Sequence, residues 1–199
     1  MLTAQTHSGD MPALSTKDVF TAFNDRARAA GWPFTCGPAQ DFEHAALAAA
    51  LALWRDKAGA RAMPNRADMT ARAMKPFLTH MSLLERIALG GAQHYRIRLH
   101  GSALARYAGD TTGKLMQDCV APERLESYTA LYDTVLALRL PVRVVAYYQA
   151  PELDYLMGES LVAPLAVPNA ATPLLLSVTY AKPRAEGVRT PSLLVNGFA

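Results

Sequence analysis

Seven residues, "HYRIRLH" from His94 to His100, constrain this chain more than any other stretch. Tyr95, Ile97 and Leu99 alternate with His94, Arg96, Arg98 and His100, which is the period of two expected of a half-buried strand. Gly101 then breaks the pattern, and "SALARYAG" leaves room for barely two helical turns before "GDTTGK" turns the chain again. A strand that falls straight into brief helices builds a lid across the face of its own sheet.

The preceding segment, "HMSLLERIA", reads as a second strand, joined to the first through "LGGAQ" as a hairpin. A turn centred on Gly90 sets His80 opposite His100. It puts Met81, Leu83 and Ile87 on the face of Tyr95, Ile97 and Leu99, and His80, Arg86, His94, Arg96, Arg98 and His100 on the other. After the lid, Pro122 opens a longer helix that runs to Leu138, with Leu125, Tyr128, Tyr132, Val135 and Leu136 as its apolar stripe. "VRVVAYYQ", "YLMGESLVAPLAV" and "PLLLSVTYA" come next as strands whose short linkers favour an antiparallel meander.

Upstream, Ser15 and Asp18 form a capping box for a helix to Ala30, with Phe20, Phe23 and Ala27 on its apolar stripe. Gly31 and Pro33 stop it, and a second helix is expected from Asp41 to Ala58. A loop then leads to a short helix capped by Asp68 and ended by Pro76. The sequence therefore divides into a disordered N-terminus (1–14), an N-terminal helical segment (15–78), a core (79–182) and a C-terminal tail (183–199). The fold class is α+β: a five-stranded, mainly antiparallel sheet with short helices on one face and N-terminal flanking helices. This layout resembles that of a PAS fold.

Composition narrows the function. Of 20 basic residues most are arginine, the net charge is only +3, and no Lys/Arg run marks one helix or loop, so nucleic acid is not the expected partner. Cys36 and Cys119 stand far apart with no C-x-x-C, as in a reduced, cytoplasmic protein. The N-terminus has no signal-peptide pattern, and the most apolar run, "AALAAALALW", is about half a membrane span. No membrane association is expected.

An ordered set of motifs resembles a family of PAS-domain proteins common in alphaproteobacteria. Trp54, Pro64, Arg66, Asp68, Glu85, Arg96, Arg98, Leu99, Gly101, Ser102, Asp110, Thr112, Gly113, Glu159, Leu161, Pro164 and Leu165 fall on that family's pattern, over roughly residues 50–182. The resemblance implies a sensory or regulatory module. Haem-binding relatives take a histidine from the long helix, and residues 122–138 contain none; flavin-reactive relatives carry Asn-Cys-Arg, where this chain has "QDCVAPER". No cofactor and no metal are expected, and the purified protein should be colourless.

The expected ligand pocket is apolar and lined by Tyr95, Ile97, Tyr107, Tyr128, Tyr148 and Glu159. Glu159 either orients a ligand or holds Arg143 of the preceding strand. Arg66, Asp68, Arg96 and Arg98 are assigned to structural ion pairs, the two hairpin arginines meeting acids such as Asp41, Glu43 or Asp68. Phe20, Phe23 and Ala27 form a stripe that the core does not need, which suggests a homodimer interface. No G-x-S-x-G, P-loop or H-E-x-x-H is present, so an enzyme is not expected. The reading is a stand-alone sensory module that binds a small molecule and signals through a protein partner. The alternative is a ligand-free scaffold or adaptor acting only by protein contacts.

Overall fold

The computed structural model of the chain describes residues 15–147, 156–168 and 173–183. The hairpin is present as β2 (Met81–Leu89) and β3 (Ala92–His100). Its two-residue turn is Gly90–Gly91, both at positive φ (60° and 81°), the left-handed pair that a twisted two-residue hairpin requires. Leu89 therefore faces Ala92, and the register holds until Leu84 opposes Ile97 while Leu83 opposes Leu99. Arg98 is the extra residue of a β-bulge. Side chains beyond a bulge point to the other side of the sheet. Tyr95 and Ile97 join Leu84 on one face, whereas Leu99 packs with Leu83 and Met81 on the opposite one. This corrects the single-face reading of Tyr95, Ile97 and Leu99, and it sets His100 opposite Ser82 rather than His80.

Among the described residues the sheet has six strands, not five. β1 (Phe34–Pro38), β4 (Val142–Tyr147), β5 (Leu156–Leu165) and β6 (Leu174–Pro183) join the hairpin in the antiparallel order β1-β4-β5-β6-β2-β3. The β4-β5-β6 meander is as the sequence suggests. β1 escapes a pattern reading because "FTCGP" is short and ends in Gly-Pro, residues that argue against a strand except at an edge. It is an edge strand.

Helices cover both faces. On the inner face lie α1 (Thr16–Ala29) and α4 (Pro122–Leu138), over Leu84, Tyr95, Ile97, Val142, Val144, Val162 and Leu175. On the outer face α2 (Ala45–Ala58) and the segment of Met63, Met69, Met74 and Phe77 cover Met81, Leu83, Leu161, Leu165, Leu176 and Val178. Trp54 fixes α2 to the sheet by donating Nε1–H to the carbonyl of Pro164 at 2.9 Å.

α1 keeps its capping box, with Ser15 Oγ accepting from Asp18 N–H and Asp18 Oδ2 from Ser15 N–H. Its stripe is used within the chain. Phe20, Phe23 and Ala27 are all buried, and the Phe23 ring meets Trp32 and Phe34 at 5.6 and 6.3 Å. The stripe looks surplus only while β1 is missing from the fold. Asn24, on the same helix, donates Nδ2–H to Cys36 O at 2.8 Å and accepts Cys36 N–H at 2.9 Å, so one side-chain amide occupies the free edge of β1.

Two further boundaries differ from expectation. α2 begins at Ala45 because Asp41 has φ 52° and His44 is the cap, its Nδ1 accepting from Ala46 N–H. Pro76 opens a 3-10 turn, Lys75–His80, instead of ending a helix; a proline fits a helical start, where its missing N–H has no partner to lose. Asp68 Oδ2 accepts from Asn65 N–H and so closes the turn before it. α3 (Ser102–Ala108) comes directly after β3, with Gly101 as its cap.

Candidate functional site

Between the inner face and α4, several of the side chains that the sequence assigns to a ligand pocket pack against one another. Tyr95, Ile97, Met116, Leu131 and Tyr132 are buried there, with Tyr128 packed against them. The Tyr95 and Tyr132 rings meet edge to face at 5.2 Å, and Tyr128 lies 6.1 Å from Tyr132 and 5.6 Å from Phe34. Tyr95 donates its hydroxyl to Asp133 Oδ1 at 2.6 Å, and Arg86 reaches the same oxygen at 3.3 Å. Burial first, then the hydrogen bond to Asp133, pushes the Tyr95 phenol far above its ordinary range, and burial also raises Tyr132 and Tyr128. These phenols stay neutral and serve in packing, and Tyr95 is a hydrogen-bond donor as well. Tyr148 lies outside the described residues, as does the side chain of Tyr107.

Glu159 is on the outer face, not beside the tyrosines. Only 1% exposed, it accepts from the backbone N–H of Glu43 at 3.1 Å and of His44 at 2.9 Å, and from Arg143 Nε at 2.6 Å. Burial alone would raise its pKa, but the His44 and Glu43 amides and then Arg143 outweigh it, so the carboxyl sits below the ordinary glutamate value. Glu43 continues the network to Arg143 at 3.5 Å and to Lys182. Beside it, Tyr180 stacks against His44 and His80, with ring centroids 4.0 and 4.2 Å away. The strand reading could find Glu159, because a carboxylate inside an apolar strand needs a partner. Nothing local in the sequence pairs Tyr180 with two distant histidines.

The hairpin arginines do not reach the N-terminal acids. Arg98 pairs with Glu85 at 3.1 Å while 54% exposed, and Arg96 is exposed with no ion-pair partner among the described residues. β3 is the far edge of the sheet, whereas Glu43 stands over β4 and β6 and is engaged there. Asp68 pairs with Arg61 at 2.7 Å, and Arg66 donates to the carbonyl of Met69 at 2.8 Å. An exposed pair contributes little, so Arg98→Ala is expected to lower stability by no more than about 1 kcal/mol. Thermal melts beside Lys57→Ala read this; a loss several times larger would mean that the guanidinium holds a buried contact.

Two concavities stand out among the described residues, and neither is under α4. One, about 540 Å³, is bounded by Asp56, Lys57, Arg61, Asp68, Thr70 and Arg72. The other, about 220 Å³, lies along β1 near Gln40, Asp41 and Arg143. Neither thiol is activated: burial pushes Cys36 up to about 12 and raises Cys119, whose Sγ lies 3.3 Å from the carbonyl of Leu115. Among the described residues no three of His, Cys, Asp and Glu gather as metal ligands, and no helix is long and apolar enough to cross a membrane.

The open antiparallel sheet, with its hairpin, short helices and longer helices on both faces, is an α+β architecture. The family model described as "PAS domain" matches residues 42–179, more than half of the chain, and the protein belongs to that family. No curated protein is similar enough to count as a match.

Proposed function

We propose that this PAS protein is a regulatory adaptor that acts through protein contacts, with its interior occupied by its own side chains. The reading rests on one observation: Leu84, Tyr95, Ile97, Met116, Leu131, Tyr132, Val162 and Leu175 form a continuous buried cluster where a ligand would otherwise lie. A core packed in this way is rigid and presents its surface, not its centre, to other molecules. The partner is a signalling protein or a second copy of the chain, and light scattering across a concentration series separates the two.

Small-molecule sensing is the second reading, and the 540 Å³ concavity favours it, since that volume suits a ligand site. Its lining of Lys57, Arg61, Arg72, Asp56 and Asp68 selects a polar, charged ligand rather than the apolar one the sequence suggests. Native mass spectrometry with a metabolite-library thermal-shift screen tests the adaptor reading. The expected result is a colourless protein with no retained small molecule and no metabolite that raises Tm progressively as its concentration increases. A ligand retained at one per chain overturns it.

A further inference from the structure

Tyr180 is held between two imidazoles. Its ring lies 19° from the plane of His44 at 4.0 Å and 14° from that of His80 at 4.2 Å. Two rings cannot both lie that close above one face, so the histidines take opposite sides of the phenol. The three residues come from separate parts of the chain: the cap of α2, strand β6, and the last residue of the 3-10 turn before β2. Both imidazoles are also tied at Nδ1, His44 to Ala46 N–H at 3.3 Å and His80 to Thr79 Oγ1 at 2.9 Å.

The geometry points to an acid-operated latch, in which protons taken up by His44 and His80 release the N-terminal end of α2 from the outer face of the sheet. A single proton on either ring is tolerated, because the π face of Tyr180 attracts a cation. A second proton creates two positive rings on either side of one phenol, with Arg106 of α3 bearing on His80 as well. The neighbouring negative groups are already committed, Glu159 to Arg143 and to the amides of Glu43 and His44, and Glu43 to Arg143 and Lys182. A protonated His44 also loses the lone pair that accepts Ala46 N–H, and it puts positive charge at the start of a helix, where the macrodipole opposes it.

Linkage sets the direction of the effect. Burial first, then the charges of His44 and Arg106, hold His80 below the ordinary histidine value of 6.5. The released form binds the proton more readily, so the latch is closed above that value and weakens as pH falls below it. Such a device would give a regulatory module an input that needs no bound molecule.

Hydrogen exchange on the full chain, corrected for intrinsic rates, tests this between about pH 7.5 and 5.5, either side of the imidazole range. The amides of Ala45–Ala58 are expected to lose at least about tenfold more protection than those of β6 over that interval, as local opening predicts. The double variant His44→Asn, His80→Gln keeps a capping side chain and a polar group but cannot take the protons, and its α2 protection should no longer change with pH. An NMR titration of the wild-type histidines reads His80 without any substitution and should place its midpoint below that of a free imidazole. Parallel loss of protection in α2 and β6, a wild-type response in the double variant, or a His80 midpoint at or above the free value overturns the latch.

Discussion

Glu159→Ala is expected to lower the unfolding free energy by about 3–5 kcal/mol, the cost of breaking a buried charge pair from one side. The carboxylate is 1% exposed and serves three donors: two backbone amides ahead of α2 and the guanidinium of Arg143. Removing it strands all of them and detaches the start of α2 from β5. Glu159→Gln keeps one acceptor oxygen and should lose less. Because its pKa lies below the ordinary value of 4.5, the wild-type carboxylate gives its full stabilisation above that pH. The stabilisation is lost as the medium is acidified through the depressed value. Urea denaturation at neutral pH and along an acid series measures both effects. A Glu159→Ala protein within about 1 kcal/mol of wild type would show that the network is dispensable.

Gly101→Ala is the second large effect, expected to cost about 3 kcal/mol, the upper end for overpacking a core position. Gly101 has φ −66°, an ordinary value, so backbone strain plays no part. The reason is space. A Cβ at this position would press into the Thr79 carbonyl oxygen and stand 2.6 Å from its carbon and 2.7 Å from Leu78 O. Those are main-chain atoms that cannot rotate away, and Gly101 N–H is itself bonded to Met81 O at 2.8 Å. Ser102→Ala, on an exposed neighbour, is the control and should be close to neutral. Equal melting temperatures for the two variants would show that α3 and the 3-10 turn can move apart cheaply.

Most of the fold is legible in the sequence because its elements announce themselves locally. The capping box of Ser15 and Asp18, Pro122 at the start of α4, and the alternation of β3 each depend on a few adjacent residues. What escapes depends on distant ones. The bulge at Arg98 leaves the alternation intact to the eye while sending Leu99 to the other face. β1 becomes a strand because β4 offers an edge and the aromatic side of α1 covers Phe34, not because "FTCGP" favours extension. The candidate site divides in the same way. Glu159 stands out as a carboxylate in an apolar strand, yet its amide donors depend on where α2 docks. The tyrosines read as a pocket lining, and among the described residues Tyr95, Tyr128 and Tyr132 pack against one another, a contact that no local pattern announces.

The atoms along the two rims of the sheet carry one more consequence. At one rim the amide of Asn24 takes both main-chain groups of Cys36. At the other, Ile97 donates to Lys114 O at 2.9 Å and accepts from Gly113 at 2.7 Å. Each edge is interrupted midway by the protein's own polar groups, so a neighbouring chain finds no uninterrupted ladder on which to crystallise a further strand. The groups that interrupt the two edges belong to one turn of α1 and to a glycine loop. Replacing Asn24 by Ala, which leaves Phe20 and Phe23 in place, would free both main-chain groups of Cys36 at that rim, and a rise in aggregation would register the loss.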